Sequence, residues 1–352
     1  MIETLLDTLT EGPVLAIAGA VTGLVFGAAA QHSRFCLRAA TVEVAGGVFG
    51  PRLAIWLIAF CAAVALVQGS VATGVLDVSN TRQLIATGSM SGAILGGLMF
   101  GAGMILARGC ASRLLVLSAT GNLRALITGL VLTLVAQASL RGVLSPLREN
   151  LSALWLVQGG DSRSILALLG LTAPVVAALA TGGLIVALLL AHRQLVPRSR
   201  MIAAAGVGAA VGLGWMLTYA VAAASFEVVP ISSVTFTGPS TDTLMGLVNA
   251  AELPWSFGLG LVPGVFIGAG AMALITREAR IERFGPDTPM ERYLLGATLM
   301  GFGSMLAGGC AVGAGMSGGS IFALTAWVAL FCMWLGAMTT HLLLSSAQMR
   351  TA

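Results

Sequence analysis

The sequence contains the phrase Gly101-Ala-Gly-Met-Ile-Leu-Ala-Arg-Gly-Cys-Ala111 and a second version of it, Gly301-Phe-Gly-Ser-Met-Leu-Ala-Gly-Gly-Cys-Ala311. Seven of the eleven positions are identical. In both copies an apolar helix interrupted by glycine ends just before a cysteine, Cys110 or Cys310, where a packed bundle would normally have a clean helix end. The repeat predicts a duplicated membrane protein, and the paired thiols predict a transport site.

The composition excludes an ordinary soluble domain. Hydrophobic residues make up 57% of the chain and charged residues only 9%. Apolar runs such as 53–76 and 320–345 are long enough to cross the hydrocarbon core of a bilayer, which needs about 20 residues of helix. We therefore predict an all-α polytopic membrane protein whose surroundings are the lipid bilayer.

Apolar runs divide the chain into about nine transmembrane helices. Their length and near absence of charge match membrane-spanning helices rather than buried soluble ones. The runs are 13–30, 53–76, 91–107, 123–140, 171–191, 201–224, 256–276, 293–308 and 320–345.

Charge sets the predicted orientation. All 18 basic residues are arginine, and the net charge is +4. This pattern favours ordinary positive-inside loops, so we expect no nucleic-acid partner. Arginine is concentrated after the first, fifth and seventh runs, and we expect those loops to be cytoplasmic: 34–52, 192–200 and 277–292.

The opposite side is predicted from segments that lack cations. The long loop 225–255 has no Lys or Arg, and the acidic N-terminal stretch 1–12 has neither, so it predicts no secretory signal or transit peptide. Both are expected outside, which places the N-terminus outside and the C-terminus, with Arg350, in the cytoplasm. Loop 141–170 fits least well, because it carries three arginines.

The duplication predicts the domain organisation. We expect a first repeat over 13–140, a linker over 141–200 that includes the fifth span, and a second repeat over 201–345. Since one extra span separates the copies, the second must enter the membrane from the opposite side. Two such inverted repeats, with glycine-rich broken helices at the centre, place a substrate site near the midplane at their interface.

The glycines and arginines near the thiols have two readings each. Clustered glycines beside Cys110 and Cys310 favour broken helices, whereas Gly19, Gly23 and Gly27 fit close helix packing equally well. Arg108 and Arg113 either line a polar path or anchor the topology at the end of span three.

Other candidate groups are weaker. Cys61 and Cys332 lie in the middle of apolar runs and are expected to be packing residues. No histidine stands at metal-ligand spacing to another ligand, so no metal or other cofactor is predicted. Glu43 is the one acidic residue considered as a proton carrier.

Several phrases resemble those of the YeeE/YedE family of bacterial inner-membrane sulfur transporters, whose best-understood members take up thiosulfate. They are Phe35-Cys36, Gly103-Met-Ile-Leu-Ala-Arg-Gly-Cys110, Thr120-Gly-Asn122, Ser233-Val-Thr-Phe-Thr-Gly-Pro239 and Leu306-Ala-Gly-Gly-Cys310. The resemblance runs from about residue 14 to 340. It implies an hourglass-shaped protein whose constriction is lined by three cysteines.

That resemblance assigns the site to Cys36, Cys110 and Cys310 as substrate-binding residues. Two positions depart from the family pattern: Arg113 replaces a commonly small residue, and Ala314 replaces a common histidine. Some relatives carry a fused sulfur-carrier domain with a Cys-Pro-x-Pro motif. No cysteine here precedes a proline, so any such acceptor would be a separate cytoplasmic protein.

The function predicted is import of a small sulfur-containing anion, thiosulfate above other species, by a protein that is not an enzyme. Neutral thiols are weak hydrogen-bond donors that would pass an anion along without trapping it. The alternative is a membrane thiol relay, in which Cys110 becomes a persulfide and passes sulfur to the cytoplasmic acceptor. A purely structural subunit is a third possibility, and it requires that all three cysteines tolerate alanine.

Overall fold

The structure is a computed structural model that describes residues 6, 8–249, 255–283 and 289–351, with the side chains of 6, 8–249, 255–283 and 289–346. Part of the acidic N-terminal stretch, part of loop 225–255 and the Arg350 side chain therefore lie outside the described residues.

The part of the chain that the structure describes is predominantly helical, which confirms the all-α prediction. Within the described residues nine segments are long and apolar enough to cross a membrane, three of them as a helix plus the shorter helix that follows a break. We number the long helices as spans 1 to 9: Glu11–Ser33, Pro51–Ala72, Met90–Leu106, Leu123–Arg141, Ala173–Arg193, Arg198–Ala224, Phe257–Ile275, Met290–Leu306 and Leu324–Thr351.

Four short helices lie between spans and are called half-helices 1 to 4: Leu37–Ala45, Ala111–Ala119, Thr237–Asn249 and the π-helix Ala311–Gly318. Half-helix 3 was not predicted, because the sequence shows only a loop there. The remaining elements are the short helices Arg82–Ile85, Ser145–Ala153 and Ile165–Leu169, the 3-10 turn Asp161–Arg163, and the antiparallel two-residue strands Gly88–Ser89 and Leu156–Val157.

The spans pair in a pattern that is the same in both halves. Span 1 packs on span 7 and span 6 on span 2, while span 3 packs on span 9 and span 8 on span 4. The pairs 1 with 6 and 3 with 8 join the halves, and span 5 packs mainly on span 2. Exchanging spans 1 to 4 with spans 6 to 9 reproduces these pairings. The inverted repeats and their boundaries stay predictions, since the position of a membrane is not defined by packing alone.

Spans 3 and 8 meet through reciprocal glycines. A Cβ at Gly96 would meet the carbonyl oxygen of Gly303, and a Cβ at Gly103 would meet the carbonyl oxygen of Gly296. The two helices therefore run antiparallel with their backbones in close contact. A contact in which each partner presents equivalent positions is what a two-fold axis requires.

Glycine also lets spans 1 and 7 approach closely. Gly19, Gly23 and Gly27 lie against successive turns of span 7, from Phe257 to Ala269. Small residues at a helix interface let backbones approach in a membrane, where apolar surface alone supplies little driving force. Of the two readings of these three glycines, close packing is the one the structure bears out.

Loop 141–170 uses its buried arginine structurally. The Arg163 guanidinium donates to the carbonyl oxygen of Ala86 and, at 2.6 Å, to Thr325 Oγ1. Burial lowers the pKa of Arg163, with the nearby Arg82 charge as a smaller cause. Arg148 is paired with Glu149 at 3.0 Å. These local partners engage two of the three arginines of this loop.

We predict that Gly27→Ala destabilises the bundle, because its methyl group would collide with the carbonyl oxygen of Val265. Overpacking of this kind costs about 1–3 kcal/mol. Gly182→Ala is the matched control, since no heavy atom lies within 4 Å of its added Cβ. Thermal unfolding of the detergent-purified variants, monitored by size-exclusion chromatography, should show a lower midpoint for Gly27→Ala alone. Equal midpoints would contradict the packing account.

Candidate functional site

All three predicted cysteines occupy the same structural position. Each is the N-cap residue of a half-helix with extended backbone: Cys36 precedes half-helix 1, Cys110 half-helix 2 and Cys310 half-helix 4. The N-terminus of a helix carries a partial positive charge and free N–H groups, which favour an anion.

One backbone geometry produces the three breaks. The N–H of the residue before each cysteine bonds to a carbonyl five residues back: Phe35 to Ala30 (3.1 Å), Gly109 to Met104 (3.1 Å) and Gly309 to Ser304 (2.9 Å). The residue two before each cysteine is left-handed, with φ of 56° at Arg34, 54° at Arg108 and 78° at Gly308. This arrangement is typical of helix C-termini. It ends each span while pairing the backbone groups inside the protein.

The thiols occupy one region of the interior. Cys110 and Cys310 are each 1% exposed, and Cys36 is half-buried. Cys36 and Cys310 both lie within the range of electrostatic interaction with Cys110. Cys110 Sγ lies 3.3 Å from Ser112 Oγ, and Cys310 Sγ accepts a hydrogen bond from the Gly313 N–H at 3.4 Å. The thiols are therefore placed to act together.

The second half supplies a fourth helix N-terminus without a thiol. The loop before half-helix 3 lies beside half-helix 4, where Ser317 Oγ donates to the Val234 carbonyl at 2.6 Å. A Cβ at Gly313 would collide with the Thr235 side chain, and Thr237 Oγ1 is buried without a partner. Thr237 also lines a cavity of about 230 Å³ that reaches Ala111, the residue after Cys110.

Neither Thr235 nor Thr237 was predicted as a site residue, because neither is a thiol. The sequence spacing nevertheless makes the two segments equivalent in the repeat, since Thr235-Phe-Thr237 stands two hundred residues after Phe35-Cys-Leu37. That spacing also separates the two copies of the cysteine phrase.

A chain of polar side chains leads from the thiols to the surface. Arg113 lies within electrostatic reach of Cys36 and Cys110, and its Nη1 donates to Gln31 Oε1 at 3.4 Å. Gln31 in turn donates to Glu278 at 2.9 Å, and Arg34 donates to the same carboxylate at 2.9 Å. These contacts favour the interpretation of Arg113 as part of a polar path over that of a topology anchor.

Three other candidates have structural roles. The Glu43 carboxylate accepts N–H bonds from Arg52 and Leu53, so it caps the N-terminus of span 2. Cys61 packs against Gly183 of span 5, and the Cys332 side chain packs against Gly97 of span 3. Among the described residues, no group of three His, Cys, Asp or Glu side chains is placed to hold a metal ion.

Interrupted helices whose N-termini meet at buried polar groups define a class of membrane transport proteins. This chain belongs to the sulphur transport family, which it matches over residues 32–339. The resemblance to YeeE/YedE sulfur transporters is thereby confirmed.

Two relatives show how far the similarity extends. The thiosulfate transporter TsuA of Spirochaeta thermophila is 28% identical over 339 residues, which cover 91% of this chain and 96% of the relative. The thiosulfate transporter TsuA of Escherichia coli is 34% identical over 116 residues, a third of each chain.

We predict that Glu278→Gln lowers stability at neutral pH by less than about 1 kcal/mol, because both partners of its ion pair are partly exposed. The hydrogen bond from Arg34 lowers the pKa of Glu278, with partial desolvation opposing it. Its stabilising effect is therefore present above about pH 4.5 and is lost as the pH falls through the lowered pKa.

The check is the midpoint of thermal unfolding of wild type and Glu278→Gln from pH 7 to pH 3.5. The difference should shrink at the acidic end. Glu291→Gln, at an exposed position of span 8, is the control. A difference that is constant with pH would rule out the charged pair as the cause.

Proposed function

We propose that this protein imports thiosulfate across the bacterial inner membrane into the cytoplasm, through a constriction lined by Cys36, Cys110 and Cys310. The observation on which this proposal rests is that each thiol is the N-cap of a half-helix at a break in the bundle. The names of the two relatives support thiosulfate as the substrate.

The site suits an ion that must bind and leave. Thiosulfate is a dianion with three oxygens and one soft sulfur. Each helix N-terminus stabilises a negative charge by about 0.3–1 kcal/mol, and a neutral S–H is only a weak donor. Several weak contacts spread along a path hold the anion without making release slow.

The proposed orientation of the chain in the membrane rests on the charge distribution. The arginine-rich end is the end of the bundle where spans 1, 3 and 7 finish and span 8 begins, and it holds Arg34, Arg108 and Arg292. We assign this end to the cytoplasm, with the N-terminus outside and the C-terminus inside. The division into repeats over 13–140 and 201–345 with a linker over 141–200 belongs to the same proposal.

We predict that Cys110→Ala and Cys310→Ala each reduce thiosulfate uptake at least tenfold, because each removes a donor from the shared path. Cys61→Ala and Cys332→Ala should remain within twofold of wild type, since these side chains only pack between helices. The measurement is uptake of ³⁵S-thiosulfate by sulfur-starved cells at matched membrane expression. Full uptake by a folded Cys110→Ala/Cys310→Ala double variant would exclude the assigned site.

The same assay separates transport from a thiol relay. Serine keeps a donor but cannot form a persulfide. If the thiols act as donors, Cys310→Ser keeps part of the uptake that Cys310→Ala loses, and intact thiosulfate appears inside. A relay to a separate sulfur-carrier protein would instead make the two variants equally inactive. It would also leave added sulfur on Cys110 or Cys310, detectable by mass spectrometry.

We predict that reporters on opposite ends label from opposite sides. In a background in which the native cysteines are replaced, Ser199→Cys and Val228→Cys place thiols at exposed positions in the first turn of span 6 and after its last residue. A membrane-impermeant maleimide should label position 228 in intact cells and position 199 only after lysis. Labelling of both in intact cells would refute the proposed orientation.

A further inference from the structure

We propose that Arg38, Arg108 and Arg292 form a second anion-binding station, which lies between the thiols and the arginine-rich end and takes a tetrahedral divalent oxyanion. Its place in transport rests on the proposed function, because thiosulfate leaving the thiols would reach it next. Its binding of an oxyanion can be tested on its own.

Arg38 links the first thiol to the other two arginines. Arg38 follows Cys36 by two residues on half-helix 1, and it lies within electrostatic reach of Cys36, Arg108, Arg292 and Tyr293. Within the part of the chain that the structure describes, no carboxylate is among the groups that act on Arg38. Like charges brought together without a counter-ion repel each other, so this arrangement is best satisfied by a bound anion.

Two of these arginines have donors that lack an acceptor. The Nε atoms of Arg38 and Arg292 are both buried with no hydrogen-bond partner. A buried donor left unpaired costs about 1–3 kcal/mol, and more when the group is charged. Two such donors in one cluster indicate acceptors supplied by a ligand, and oxyanion oxygens are suitable acceptors for guanidinium groups.

The described carboxylates at this end are engaged elsewhere. Glu43 caps span 2, Glu278 binds Arg34 and Gln31, and Glu282 binds Arg280 and Asn122. Glu291 precedes Arg292 but is exposed and does not act on Arg38.

The neighbouring Arg124 has partners for its guanidinium group within the protein. It donates to the Tyr293 hydroxyl at 3.0 Å, and its guanidinium carbon lies 4.8 Å from the centre of the Tyr293 ring. The Nε atoms of Arg148 and Arg163 are also buried and unpaired, but the terminal nitrogens of these side chains bind Glu149, Ala86 and Thr325. The described residues supply no such acceptor to Arg38 or Arg292.

The backbone at Arg108 carries a further argument. Arg108 has a left-handed φ of 54°, and Gly308, the equivalent residue of the second cysteine phrase, has 78°. A side chain in this conformation costs roughly 1–2 kcal/mol relative to glycine. The first half therefore keeps an arginine where the second half has the residue that the backbone prefers. Strain of this kind points to a use for the side chain.

The decisive variant is Arg108→Gly, because it removes the guanidinium while relieving the backbone. The probes are sodium sulfate and sodium thiosulfate, titrated by calorimetry into the full chain purified in a neutral detergent. Wild type should bind both more tightly than chloride or nitrate. Arg108→Gly and Arg38→Gln should each weaken binding about tenfold or more, the loss of a charged hydrogen bond, while Arg108→Gly melts no lower than wild type.

Arg193→Gln is the matched control, since it removes one exposed arginine at the end of span 5. It should bind sulfate as wild type does. The proposal is overturned if wild type binds neither probe, if Arg108→Gly and Arg38→Gln bind like wild type, or if monovalent and divalent anions bind equally. Binding abolished by phosphatidylglycerol in the micelle would assign the arginines to a lipid headgroup and also overturn it.

These outcomes are independent of the thiol path. Cys110→Ala/Cys310→Ala should lose uptake but keep sulfate binding. If wild type transports no thiosulfate and yet binds sulfate in a manner that depends on Arg108, the proposed function fails while the station stands. If uptake depends on the cysteines and sulfate binding is absent, the proposed function stands while the second anion station fails.

Discussion

The structure depends on one constraint: a helix can stop inside a membrane protein only if its last backbone groups find partners within the protein. Spans 1, 3 and 8 meet this constraint with the same hydrogen bond, from the residue before the cysteine to a carbonyl five residues earlier. Because that bond reverses the chain, the next residue emerges in extended conformation and begins a new helix. Each cysteine therefore lies at a helix N-terminus as a direct consequence of how the preceding helix ends.

Close backbone contact makes room for these breaks. Gly23 and Gly27 bring span 1 onto span 7, and Gly96 and Gly103 bring span 3 onto span 8, without side chains between the helices. Phe26 then fills the space beneath the half-helices, since its ring lies 6.5 Å from that of Phe35 and 5.1 Å from that of Phe236. One aromatic side chain thus packs against the residue before the first thiol and the corresponding loop of the second half.

Much of this was predictable from sequence, and the failures have physical reasons. Apolar length predicted nine spans and the all-α class, because hydropathy acts locally. The family was identified separately, from the resemblance of the cysteine phrases and of Ser233–Pro239 to those of known sulfur transporters. Half-helix 3 was missed because its residues, rich in Ser, Thr and Gly, have no strong period and are held by packing against spans 7 and 4. The role of Glu43 was also invisible, since capping of span 2 depends on a fold that brings the two segments together.

The two halves share a scaffold but differ in chemistry, and this difference bears on direction. Where the first half has Cys36 and Arg108, the equivalent positions of the second half have Phe236 and Gly308. A strictly symmetric protein would present the same potential to an anion at both ends. One end holds Arg38, Arg108 and Arg292, and the other offers neutral hydroxyls. On the proposed function, an anion that enters at the hydroxyl end moves towards increasing positive potential, and the thiols separate the two environments. Weak donors at that boundary would hold the anion only weakly at the centre, so that the guanidinium end is the more favourable place for a bound anion.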